Sequence, residues 1–194
     1  MLSLLNDVII EELGFVAAFA TMGAVGFRYA VIAGANRTGE PVPDRVTDPA
    51  LRVAAVIGLV GAVLATIMFV HGQSERAAED GRTLAQALAT MQGTVPLVLG
   101  LAAVLGFALA TGRVAVGWPL AAVATLGFAL RDIRTNKWPS VVNPLHIIGG
   151  SLWIGTLAVL VVAGLSVALG GRLPEGERGP VVSRWVNAFS PLAL

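Results

Sequence analysis

Residues 53–70 read VAAVIGLVGAVLATIMFV, and no charged side chain interrupts them. In hydrocarbon a backbone must satisfy its own hydrogen bonds, which a helix of about 20 apolar residues does. This stretch is therefore a membrane-crossing helix, read as about 51–70, and it decides the class of the fold. Four further segments have the same character. The first covers about 8–35, most apolar from Leu13 to Ala35, with Arg28 as its one internal charge there. The next are about 93–111, with Pro96 in its opening turn, and about 114–131, short and bounded by Arg113 and Arg131. The last, about 143–170, is the longest. Only Gly112 and Arg113 separate the third and fourth at their closest, so these two read as a tight helical hairpin. The expected fold is all-α: one polytopic transmembrane bundle over residues 1–194, with about five spanning helices and short interfacial helices.

Composition agrees. Hydrophobic residues make up 56% of the chain and charged residues 13%, about half the charged share of a soluble domain. The net charge is +1, and no basic patch with interleaved aromatics points to nucleic acid. There are no cysteines, so disulfides, thiolate metal sites and cysteine nucleophiles are excluded. Asp7, Glu11 and Glu12 occupy the region where a signal peptide would be basic, so the first helix is expected to be retained.

The connections are short. Residues 36–52, with Pro41, Pro43 and Pro49, read as a turn region outside the bilayer. Leu84, Leu88 and Met91 in 71–93 are spaced for a short interfacial helix. Residues 170–182 read as a Gly/Pro loop, and 182–194 as an interfacial segment anchored by Trp185. Ser190-Pro191 pairs an N-cap with a first helical residue, and so predicts the start of a further helix.

An odd number of crossings brings two residues together in topology. If the N-terminus lies on side A, the second helix ends there and the fifth begins there. His71 and His146, the only histidines, then share that face. Side B collects Arg28, Arg37, Arg45, Arg52, Arg113, Arg172, Arg178 and Arg184; side A collects Arg76, Arg82, Arg131, Arg134 and Lys137. The positive-inside bias makes side A, with the N-terminus, the outer face. Arg28, near its helix end, reads as a snorkelling cation.

His146, Gly150 and Trp153 recur at i, i+4 and i+7, one helix face. Gly149, Gly150, Ser151 and Gly155 let another helix or a flat cofactor approach. Met68 lies three residues before His71, and a thioether with an imidazole suits Cu(I). Met1, Met22 and Met91 are too scattered in sequence to make a methionine-rich copper track, and Met22 shares a face with Phe15 and Phe19 that reads as packing. Two imidazoles from different helices could instead ligate a haem b iron axially. Asp132 reads as paired with Arg131 or Arg134, and Glu11 and Glu12 as solvated. No catalytic triad, phosphate loop or buried carboxylate pair is present, so the chain is not expected to be an enzyme.

Asn143-Pro144-Leu145-His146 through Trp153-Ile154-Gly155, followed by Phe189-Ser190-Pro191-Leu192-Ala193-Leu194, resembles the membrane domain of the copper resistance protein D (CopD) family. The resemblance covers about the last quarter of the chain. Thr156 stands where the family's second glycine is common, and Met22 lies in the first helix, where a histidine is often found. The resemblance implies copper transport or tolerance in a bacterial inner membrane, with a periplasmic copper-binding partner. It makes His146 the leading copper ligand, with Trp153 and Gly155 shaping its helix face; spacing and topology add His71 and Met68 as candidate ligands and Gly150 to that face. Two other readings stay open: an accessory subunit of a larger membrane complex, and a bis-histidine b-type electron carrier.

Overall fold

The computed structural model describes residues 2–37, 41–131, 139–171 and 173–192, with side chains from Glu12 onward except at 139 and 140. Every regular element among them is helical. Helix α1 (Leu2–Gly26) continues through a π-helical segment, Phe27–Ile32, into α2 (Ala33–Arg37). Next come α3 (Asp44–Glu79), α4 (Leu84–Leu88), α5 (Met91–Thr111) and α6 (Gly117–Leu130). Helix α7 (Pro139–Val159) passes through a second π segment, Leu160–Leu165, into α8 (Ser166–Leu169). Helix α9 (Glu175–Phe189) ends in a 3-10 turn, Ser190–Leu192.

Among the described residues, four helices are long and apolar enough to cross a membrane: Glu12–Arg37, Asp44–Glu79, Met91–Thr111 and Val141–Leu169. Helix α6 is apolar but has only 14 residues, about 21 Å at 1.5 Å per residue, less than the roughly 30 Å of hydrocarbon.

Helix α3 has 36 residues, about 54 Å, and overruns the apolar stretch at both ends. The segment 44–52, expected as a turn region, is its first turns. Pro49 is accommodated there by giving up one backbone bond near the helix start. The polar residues after His71 continue the helix to Glu79. The short helix expected in 71–93 is α4, closed by a capping box between Thr83 and Gln86. Met91 instead opens α5, behind the N-cap Thr90. The segment expected as a Gly/Pro loop is helical from Glu175, with Pro180 inside α9. Ser190 has αR dihedrals and its hydroxyl donates to the Val186 carbonyl, so it extends α9 rather than capping a new helix.

Helix α1 is central, with α3, α6 and α7 around it, and α5 packs against both α3 and α6. Close approach at small residues sets these contacts. Gly23 of α1 meets Gly155 of α7 backbone to backbone, and Gly61 of α3 receives Ala17 and Ala20. In the hairpin, Gly106 faces Ala121 and Gly117 faces Ala110. The connecting turn places Arg113 at φ 62°; Arg113 pairs with Asp48 at 2.9 Å.

The two π segments meet in the core near the end of the bundle where α3 begins. Phe27, Leu160, Gly164 and Trp185 pack there. Trp185, expected as an interfacial anchor, is 0% exposed and stands edge-on to Phe27 with ring centroids 6.0 Å apart. It fastens α9 to the bundle rather than to the lipid boundary. Arg28 lies in the first π segment, its guanidinium carbon 5.6 Å from the Tyr29 ring centre.

Candidate functional site

Helix α3 packs against the second π segment and α8, but makes no comparable contact with α7 itself. The two helices therefore diverge toward the end carrying Glu79 and Pro139. The space between them, walled also by α1, α5 and α6, is a funnel of about 1160 Å³. Gly72 and Arg76 of α3, Asp80 just after it, Arg131 after α6 and Pro144 of α7 all line it. The end of α3 and the start of α7 thus border one opening.

The funnel changes character with depth. Its rim carries Arg76, Arg82, Arg131, Glu79 and Asp80. Arg82 is bonded to Asp80. Arg131 lies over the Phe128 ring at 4.1 Å and donates to the Phe128 carbonyl. Further in, Phe15, Phe69, Phe128 and Leu99 form apolar walls. The deep wall includes Thr21, Met22, Met68, Thr125 and Ser151, with no charged residue among them. Thr21 returns its hydroxyl to the Ala17 carbonyl at 2.9 Å. Thr125 and Ser151, 6% and 0% exposed, have hydroxyls with no hydrogen-bond partner among the described residues.

Three methionines, scattered in sequence, line this one space. Met22 from α1 is buried, Met68 from α3 is half-buried, and Met91 of α5 stands at the entrance, 82% exposed. Sequence spacing tied Met68 to His71. The structure groups it instead with Met22 and Met91, a relation that only helix packing creates.

The histidines do not line the funnel. His71 is exposed on α3, with Nε2 3.4 Å from Glu75 Oε1 one turn on. His146 is exposed on α7, on the same outward face as Trp153 and half-buried Gly150. A Cβ added at Gly149 or Gly150 would meet nothing within 4 Å. Gly155 does not shape that face. Nine residues from His146 is half a turn out of phase at 3.6 residues per turn, and Gly155 is buried against Phe19 and Gly23 of α1. Thr156 is buried beside Gly26, where a side chain on residue 26 would collide with its hydroxyl. Asp132 and Arg134 lie outside the described residues, and of Glu11 only the backbone is described. No group of three or more His, Asp or Glu side chains is placed to hold a metal ion among the described residues.

Comparison of the chain with family models, curated proteins and solved structures finds no match.

Proposed function

We propose that this chain is a multi-pass membrane protein that handles copper, taking Cu(I) as cargo through the funnel between α3 and α7. The observation that carries the reading is the convergence of Met22, Met68 and Met91 on one funnel. Thioethers are soft and neutral, and such ligands select Cu(I) over hard divalent ions. Met91 at the entrance and Met22 and Met68 within would offer the ion thioethers from three different helices. The absence of a closed cluster of His, Asp and Glu among the described residues suits cargo that passes better than a resident ion. The CopD-like segment around His146 and Trp153 supports the same assignment, with the funnel opening on the outer face of a bacterial inner membrane. In this reading α6 is the fourth of five crossings, short because it pairs along α5 and returns the chain to side A.

The test is Cu(I) binding to purified protein, measured by chelator competition. Met22→Leu with Met68→Leu keeps volume and removes both buried sulfurs. The expected result is at least a tenfold loss of affinity, and a matching change in cellular copper. Unchanged binding and accumulation in this variant and in His146→Ala would remove the copper assignment.

A second reading is favoured by the outward face of α7. An imidazole facing lipid is unfavourable, and Gly149 with Gly150 leaves room for another helix to approach. That combination supports a role as one subunit of a larger membrane complex. Mass spectrometry after extraction in mild detergent decides it: a companion polypeptide is expected, and a stable monomer that moves copper by itself refutes it.

A further inference from the structure

We infer that the outward face of α7 is a homodimer interface, at which a second copy of this chain covers His146 and Trp153. The inference rests on the reading of the chain as part of a larger complex, and it names the companion; it uses neither copper nor the funnel.

Position comes first. Ser151, Gly155 and Val159 are the buried side of α7. At 3.6 residues per turn, His146, Gly150, Trp153 and Leu157 lie directly opposite, facing away from the bundle. The span Val141–Leu169 has 29 residues, about 43 Å, centred on roughly 30 Å of hydrocarbon. His146 then lies just inside the apolar layer and Trp153 near its middle. Tryptophan collects at the membrane boundary, where its N–H meets water; here it is 44% exposed at depth. No hydrogen bond joins Asn143, His146 or Trp153 to another described residue, and hydrocarbon tails supply none.

Spacing comes next. Asn143, His146, Gly150, Trp153 and Leu157 recur at alternating intervals of three and four, the a and d positions of a heptad. All are exposed except half-buried Gly150. The stripe ends at the second π segment, where Leu160 turns into the core. Such a stripe is the seam of a parallel, left-handed helix pair, and a polar residue within it specifies partner and register. A second copy meets each requirement. Two chains inserted the same way have parallel α7 helices, and a two-fold axis along the membrane normal sets each residue opposite itself. An asparagine amide and a neutral imidazole each both donate and accept, so Asn143 and His146 find complementary partners in their own mates. Gly150 leaves the space that the larger His146 and Trp153 layers need on either side. A wholly apolar partner would leave the imidazole bare. A charged one would need an opposite charge, and residues 141–169 carry none.

The test is disulfide cross-linking of the full chain in native membranes, where the lack of native cysteine leaves single-cysteine variants without background. On mild oxidation with iodine, Gly150→Cys and Leu157→Cys should each give a band at twice the chain mass. Val60→Cys and Val123→Cys, exposed on α3 and α6, should not. Native mass spectrometry of the unsubstituted chain in mild detergent should show two copies. His146→Leu should weaken the dimer about three- to thirtyfold, the range for a hydrogen bond between helices in a membrane. His146→Gln, which also donates and accepts, should retain most of it. Equal cross-linking at all four positions would mean random collision and overturn the inference, as would a dimer indifferent to His146→Leu. A different polypeptide captured at residues 150 and 157 would overturn the second copy and leave the complex reading standing. A monomer with no cross-link at either position would remove both. The cysteine variants keep the test decisive if a change at His146 disturbs folding, since a side chain at Gly150 has open space. No metal is added, so the copper reading is tested separately.

Discussion

At the scale of single residues, the glycines of α7 divide by face. Gly155 is seated against the backbone of α1, and a methyl group there would press on the Phe19 carbonyl and Gly23. Gly150 borders open space. Overpacking at a close contact disfavours the fold by about 1–3 kcal/mol. Gly155→Ala is therefore expected to lower the Tm of detergent-solubilised protein by several degrees. Gly150→Ala should leave it unchanged or slightly raised, since alanine favours a helix by about 1 kcal/mol over glycine. Thermal unfolding followed by circular dichroism checks both. The shared face of His146, Gly150 and Trp153 was legible from spacing alone. Which way that face points was not, because it depends on where α1 lies. The methionine grouping was illegible for a similar reason: Met22, Met68 and Met91 belong to three helices, and nothing local connects them.

At the scale of elements, hydropathy located the four helices long and apolar enough to cross a membrane, counted the 14-residue α6 as a fifth, and mistook the helix ends. It registers the apolar part of a helix, whereas helix α3 continues on its own hydrogen bonds through Gln73–Glu79, where Glu, Arg and Ala are good helix formers. Pro49 and Pro180 were read as breaks, yet each is accommodated inside a helix that packing holds together. The turn between α5 and α6 carries its own prediction. Arg113 adopts a positive φ, which disfavours a non-glycine residue by about 1–2 kcal/mol. Its exposed pair with Asp48 returns at most about 1 kcal/mol. Arg113→Gly is expected to match or exceed the native Tm, and Arg113→Val to fall below it, because a β-branched residue tolerates this conformation least. The reverse order would show that the ion pair governs the turn.

At the scale of the whole molecule, the end of α3 and the start of α7 border one opening, a placement that parity predicts only with α6 counted as a crossing. The funnel itself could not be foreseen. It exists because α3 and α7 touch at one end and part at the other, and no one-dimensional pattern records a splay. The lack of cysteine makes the topology directly measurable. A single cysteine at Glu79 should react with an impermeant maleimide on intact cells. One at Asp48 or Glu177 should react only after permeabilisation. Labelling of Glu79 and Asp48 variants from the same side would contradict the proposed arrangement.

The two π segments have a consequence for how this chain tolerates indels. A single wide turn holds one residue more than a regular α-helix needs to follow the same path. Deleting one residue within Phe27–Ile32 or Leu160–Leu165 therefore tightens that turn to α geometry and leaves the flanking stretches facing as before. The same deletion within the regular turns of α5 swings everything beyond it by about 100°, and carries its buried stripe out to the lipid.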